Sequence, residues 1–169
     1  MELIQWIVIL NVCLAALFGV AYFYQLAYLV IGLVMKLRRR PAEQYSAPQH
    51  RYAAVVAARN EAGVIGELLR TLREQNYPRE LLDLYVIADN CTDGTAQVAR
   101  QEGATVYRRF NQVYKGKGYA LDEFFRWLAR EGKDQYDAYL IFDADNLVDP
   151  NFVREMDRVF STGKYDAIT

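Results

Sequence analysis

One histidine and two cysteines are all this chain has, and that scarcity removes several chemistries at once. Cys13 lies in an apolar run and Cys91 in a polar stretch, settings too different for a bridge. With a single histidine, no Cys/His zinc site can be assembled, so any metal would be held by oxygen. Excess positive charge is also missing: 20 Lys and Arg stand against 21 Asp and Glu. A nucleic-acid partner held by a basic surface is therefore not expected. The G-x-x-x-x-G-K-[ST] spacing of a P-loop does not occur, which argues against an ATPase of that kind.

A last absence is positive information. No charged residue occurs from Leu3 to Met35, whereas about 20 apolar residues suffice to cross a bilayer core of about 30 Å. Residues 1–35 are predicted to form one transmembrane anchor helix. Trp6 and Tyr28 would sit roughly 33 Å apart along it, one near each interface. Lys36, Arg38, Arg39 and Arg40 follow, against Glu2 alone on the other side, so the positive-inside rule places the rest of the chain in the cytoplasm, at the cell membrane. A cleaved secretory signal is the competing reading, but its basic leading region is missing and the apolar run is long. Residues 36–51, with Pro41 and Pro48, read as a basic juxtamembrane linker, and a globular domain is expected over 52–169.

That domain alternates short apolar runs with amphipathic stretches. Ala53 to Ala58 suits a buried parallel strand, Leu84 to Ala88 and Tyr139 to Phe142 read as strands, Thr105 to Arg108 resembles another, and Tyr165 to Thr169 starts a fifth. Between them lie helical patterns: Ile65, Leu68, Leu69 and Leu72; a segment capped by Thr92 or Asp93 and running through Glu102; Leu121, Phe124, Phe125 and Leu128; and a helix opened by Asp149-Pro150. The fold class is α/β, a mostly parallel Rossmann-like sheet with helices on both faces. In such sheets ligands bind beyond the carboxyl ends of the strands. Arg59-Asn60-Glu61, Asp89-Asn90 and Asp143-Ala144-Asp145 each follow a strand directly, so three polar turns are expected along one edge.

Asp143 and Asp145 would point the same way from an extended strand end, with Ala144 on the other side. A divalent ion relieves the repulsion between two such carboxylates, and hard oxygen ligands favour Mg²⁺ or Mn²⁺. A loop in which Asp145 or Asn146 caps something local is the plainer alternative. Asp89 could accept from a uracil N–H or a ribose hydroxyl, or simply close an Asx turn. Asp93, Gly94 and Thr95 are explained by loop shaping. In Lys115-Gly116-Lys117-Gly118, a flexible backbone precedes a helix, and Lys117 is the better candidate to meet phosphate. Glu61 could bond a base or cap the next helix. Arg108 and Arg109 are expected at a solvated strand end.

Taken together, Val55-Val56-Ala57-Ala58-Arg59-Asn60-Glu61, Ala88 to Thr95, Lys117-Gly118-Tyr119-Ala120-Leu121 and Phe142-Asp143-Ala144-Asp145 resemble the family 2 inverting glycosyltransferases, over Tyr52 to Thr169. An apolar helix ahead of such a domain is similar to the membrane-bound members that make polysaccharides or glycolipids. The resemblance implies an A-type glycosyltransferase fold and a nucleotide-sugar donor, UDP-sugar by expectation, with a glycan or lipid acceptor. It places Ala57, Arg59, Glu61 and Asp89 at the nucleoside, Lys117 at the diphosphate, Asp143 at ribose or metal, and Asp145 at the metal. Ala57 replaces a frequent proline and Arg59 a frequent tyrosine, so a guanidinium would stack on the base. The family's later acidic motif, which supplies the acceptor base, and its Gln/Arg/Trp motif are not found in these residues. The expectation is therefore the donor-binding half of an enzyme, inactive alone and completed by further chain or a second polypeptide. Two alternatives are a membrane-tethered module that binds a nucleotide sugar without turnover, and a nucleotidyltransferase.

Overall fold

The computed structural model describes residues 2–37, 50–165 and 167, in two compact units, 1–45 and 46–169. The basic cluster from Arg38 to Arg40 and the rest of the expected linker to Gln49 lie outside the described residues. The first unit is one helix, α1 (Glu2–Leu37), whose Leu3–Met35 stretch is long and apolar enough to cross a membrane, with none of that window buried. At about 1.5 Å per residue it exceeds the thickness of a bilayer core.

In the second unit the chain runs β1 (Tyr52–Ala58), α2 (Ile65–Arg73), a 3₁₀ turn (Arg79–Leu81), β2 (Leu82–Asp89) and α3 (Thr95–Gln101). It continues with β3 (Thr105–Arg109), α4 (Lys117–Arg130), β4 (Ala138–Asp143) and α5 (Phe152–Phe160). The four strands form one parallel sheet in the order β3-β2-β1-β4. Two crossovers carry the chain outward from β1 to β3, and the third returns it to the far side of β1. The order reverses between β1 and β4, which makes a crevice at their carboxyl ends.

Helices lie on both sheet faces, which is why the central β1 and the second half of β2 read as unbroken apolar runs. Tyr52, Ala54, Val56 and Ala58 pack with Ile65, Leu68, Leu69 and Leu72 of α2, Ala99 of α3 and Val153 of α5. Ala53, Val55, Tyr85 and Ile87 pack with Ala120, Phe124 and Leu128 of α4. Spacing of three and four residues puts each helical set on one stripe. Burying each of the Val, Ile, Leu and Phe side chains among them contributes about 1.5–3 kcal/mol. At the amino end of β1, the Tyr52 hydroxyl donates to the buried Asp157 carboxylate at 2.8 Å, and His50 Nδ1 lies 2.7 Å from the same oxygen.

Three local expectations change. α3 begins at Thr95 with no side-chain cap, because the Asp93 carboxylate is taken by the backbone of Thr95 and Ala62. α5 starts at Phe152 instead of Pro150, since Asp149 Oδ1 accepts from Asn151 N at 2.8 Å and closes a turn first. Of the fifth strand foreseen at Tyr165 to Thr169, Tyr165 and Ala167 carry no strand assignment, and Asp166, Ile168 and Thr169 lie outside the described residues. The outer side of β4 therefore pairs with no strand among the described residues. It borders an apolar groove of about 540 Å³ flanked by Phe125 of α4 and by Phe152, Met156 and Phe160 of α5.

Candidate functional site

The register brings the expected residues together. Ala57 lies opposite Asp143 across the β1–β4 pair, and Ala58 opposite Ala88, one residue before Asp89. Alternation then directs Ala57, Asp89 and Asp143 to the sheet face covered by α4. Asp89 and Asp143 stand two strand spacings apart, roughly 10 Å across the sheet, with Asp89 two residues, roughly 7 Å, further along. Asp143 is the last residue of β4, and Ala144 and Asp145 form the turn beyond it. Both carboxylates are exposed while Ala144 is buried, so the opposed orientations expected for a strand persist in the turn. Asn146 fixes that turn, its Oδ1 accepting from Asp143 N at 3.0 Å.

Lys117 opens α4 and donates from Nζ to Asp143 Oδ1 at 2.6 Å. Gly116 permits this approach: its φ of 115° is a backbone conformation open to glycine and strained for other residues. Exposed charge pairs of this kind contribute little to stability, so the contact serves placement of charge more than folding. An open depression of about 460 Å³ adjoins it, lined by Lys115, Gly116, Gly118, Tyr119 and Asp122.

Asp89 is held quite differently. It is 6 % exposed, and its Oδ1 accepts from Arg109 Nη1 at 2.7 Å and from Asn90 Nδ2 at 2.8 Å. Oδ2 has no hydrogen bond among the described residues. Arg109, expected at a solvated strand end, is 2 % exposed: alternation in β3 turns it inward beside Tyr107, in register with Asp89. Its Nε donates to Glu123 Oε2 at 2.8 Å and its Nη2 to the Tyr114 carbonyl at 2.6 Å. Burial works against the Arg109 charge, but its bonds to Asp89 and Glu123 outweigh that and raise its pKa. Glu123 is held below the usual carboxylate range, chiefly by Arg109 and, against some burial, by the Tyr107 hydroxyl.

A group whose carboxyl pKa is depressed by folding stabilises the fold above its unfolded value and loses that contribution as pH falls through the folded one. Glu123→Gln should therefore flatten the loss of stability below about pH 4.5, the ordinary glutamate value, in denaturant titrations repeated across pH.

The loops after β1 and β2 lock onto each other. Asn60 and Asn90, each just past a strand, have φ of 58° and 52°, the left-handed region that asparagine tolerates. Asn60 Oδ1 accepts from Thr92 N at 2.8 Å, and Glu61 N donates to Thr95 Oγ1 at 2.9 Å. Glu61 caps α2 only with its backbone, its carbonyl accepting from Val64 N and Ile65 N, and its carboxylate makes no hydrogen bond among the described residues. Arg59 is exposed and makes no ion pair or hydrogen bond among the described residues.

Sequence reasoning missed Arg109, Glu123 and the paired asparagines. The signal for Arg109 was its alternation with Tyr107 in β3; for the asparagines it was their repetition immediately after two strands. Among the described residues no cluster of three or more His, Cys, Asp or Glu side chains gathers as a ready metal cage. Two outward carboxylates are nonetheless an apt donor set for Mg²⁺ or Mn²⁺, which keep several positions for water and phosphate oxygens.

Comparison with known proteins identifies the family and the fold. Residues 48–169 match the family model described as glycosyltransferase like family 2. A beta-monoglucosyldiacylglycerol synthase of Synechocystis sp. is 29% identical over 126 residues, covering 72% of this chain and 25% of that protein. RfbJ of Shigella flexneri is 32% identical over 104 residues, 62% of this chain and 71% of that protein. The chain spans about a quarter of the length of the diacylglycerol synthases it matches. Among solved structures, a mannosyltransferase from Pyrobaculum calidifontis in complex with GDP-Man and Mn²⁺ superposes with a TM-score of 0.60 at 22% identity, over 90% of this chain and 44% of that one. The glucosyl-3-phosphoglycerate synthase of M. tuberculosis gives 0.53 at 28% identity, over 68% and 42%. The expected A-type fold is the fold observed, and the chain belongs to the family 2 glycosyltransferases.

Proposed function

We propose that the second unit binds a nucleotide-diphosphate sugar in the crevice between β1 and β4 and presents it for inverting transfer to a glycan or lipid acceptor. The observation that carries this reading is the convergence of Asp89, Lys117, Asp143 and Asp145 at the point where strand order reverses. Asp89 Oδ2 is the acceptor for a base or ribose donor, and the Arg109 network holds it in place. Arg59 stacks on the base, with Ala57 beneath it at the end of β1 and Glu61 beside it. Lys117 moves from Asp143 to the diphosphate when the donor enters. Asp143 and Asp145 hold Mg²⁺ or Mn²⁺, which when bound offsets charge on the departing diphosphate. No residue of 52–169 is given the role of acceptor base, so the donor site is the contribution of these residues to the reaction.

UDP is the favoured nucleotide on the family resemblance; the Asp89 carboxylate can accept from the imide N–H of uracil, as it can from the N1–H of guanine, so the two are compared directly. α1 crosses the membrane with the second unit on its cytoplasmic side, and the named lipid products of the synthases that match this chain favour an acceptor held in the bilayer. Titration of the full chain with UDP and with GDP, each with and without Mn²⁺, tests the donor reading. Metal-dependent UDP binding at least tenfold tighter than GDP binding is expected. No binding of either at millimolar nucleotide would sink the proposal. Radiolabelled UDP-sugar and membrane lipid then read transfer, while diphosphate release from a nucleoside triphosphate would indicate a nucleotidyltransferase instead.

A further inference from the structure

The loop between β3 and α4 has a fixed backbone and solvent-facing side chains that the core does not use. Asn111 N donates to Asn90 Oδ1 at 2.9 Å, and Asn90 Nδ2 donates to the Asn111 carbonyl at 3.1 Å. Asn111 Oδ1 accepts from Val113 N and Tyr114 N at 3.0 and 2.9 Å, and the Tyr114 carbonyl is held by buried Arg109. On this pinned frame Phe110, Val113, Tyr114 and Tyr119 are 65, 81, 57 and 54 % exposed. The rings of Tyr114 and Tyr119 lie 5.4 Å apart, and the Arg108 guanidinium is 5.2 Å from the Phe110 ring. From Arg108 to Leu121 there are four cations and no acidic residue. Arg109 and Lys117 are engaged internally, which leaves Arg108 and Lys115.

Exposed aromatic and apolar side chains gathered with unneutralised cations mark an interaction surface, and this mixture suits the headgroup layer of an anionic membrane. We propose that residues 108–119 are a membrane-contact loop, with Phe110, Val113, Tyr114 and Tyr119 at headgroup level and Arg108 and Lys115 on lipid phosphates. The inference rests on the reading of α1 as a membrane span, which puts a bilayer on the same chain. Contact here sets the mouth of the donor crevice against the lipid surface, so an acceptor need not leave the bilayer.

The test uses the full chain in single-copy nanodiscs, of phosphatidylcholine alone or with phosphatidylglycerol. An environment-sensitive NBD label is attached through Val113→Cys in a Cys13→Ala background, or through Glu74→Cys as the control. The expected result is blue-shifted emission at position 113, quenched by shallow spin-labelled lipid, stronger in anionic discs, and reduced several-fold by Arg108→Glu with Lys115→Glu. Position 74 should stay water-like, and circular dichroism should show the variants folded. Water-like emission at 113 in both lipids overturns the proposal, as does an equal shift at both positions or one indifferent to lipid charge. Retention of the chain in alkali-washed membranes is scored separately and decides the reading of α1 alone.

Discussion

Arg109→Ala is expected to destabilise the second unit by about 3–5 kcal/mol, the usual effect of removing one partner from a buried charge pair. Two carboxylates and a carbonyl depend on this one side chain, and Asp89 would be left nearly buried with a single neutral donor, Asn90. Against a total of 5–15 kcal/mol for an ordinary domain, that is a large fraction. Denaturant titration followed by Trp127, in a Trp6→Phe background, measures it. Arg109→Met combined with Asp89→Asn and Glu123→Gln should be markedly milder, because no unpaired charge remains inside. Equal losses in the single and triple variants would show that packing, and not the charge network, is what Arg109 provides.

Asp145→Ala should leave the fold intact and remove most of the metal dependence of nucleotide binding. The side chain is exposed and makes no hydrogen bond among the described residues, so its truncation breaks no internal contact. With Asp143 alone, one carboxylate remains for the cation, and a loss of at least tenfold in Mn²⁺-dependent UDP affinity is expected, about 1.4 kcal/mol. Titration of the variant beside the parent checks this. Unchanged metal-dependent affinity would remove Asp145 from the site. Lys117→Ala should differ in kind, weakening nucleotide binding with and without metal.

β1, β2 and β4 were legible because each is a largely apolar run ended by a polar turn, whereas β3, Thr105 to Arg109, carries only Val106 and Tyr107 as a signal. Strand order was not legible. It depends on where α4 carries the chain after β3, and nothing local to Lys117 to Arg130 specifies which edge receives β4. The proximity of Asp89 to Asp143 followed from strand ends alone, whereas the Asp89–Arg109–Glu123 network required the β2–β3 register. A charged pair Arg108-Arg109 reads as solvated when taken in sequence; only inward alternation beside a buried carboxylate overrides that. Helix starts at Thr95 and Phe152 moved because aspartates that look like caps were spent on turns.

The side of β4 that pairs with no strand among the described residues bears on how this chain behaves as a sample. A strand edge whose outer N–H and C=O groups meet no strand among the described residues, beside a groove lined by Phe125, Phe152 and Met156, is a template that accepts an extended segment, including the same edge of another molecule. Self-association should therefore grow with concentration even with α1 shielded by detergent, and dilute samples are the ones that report the monomer.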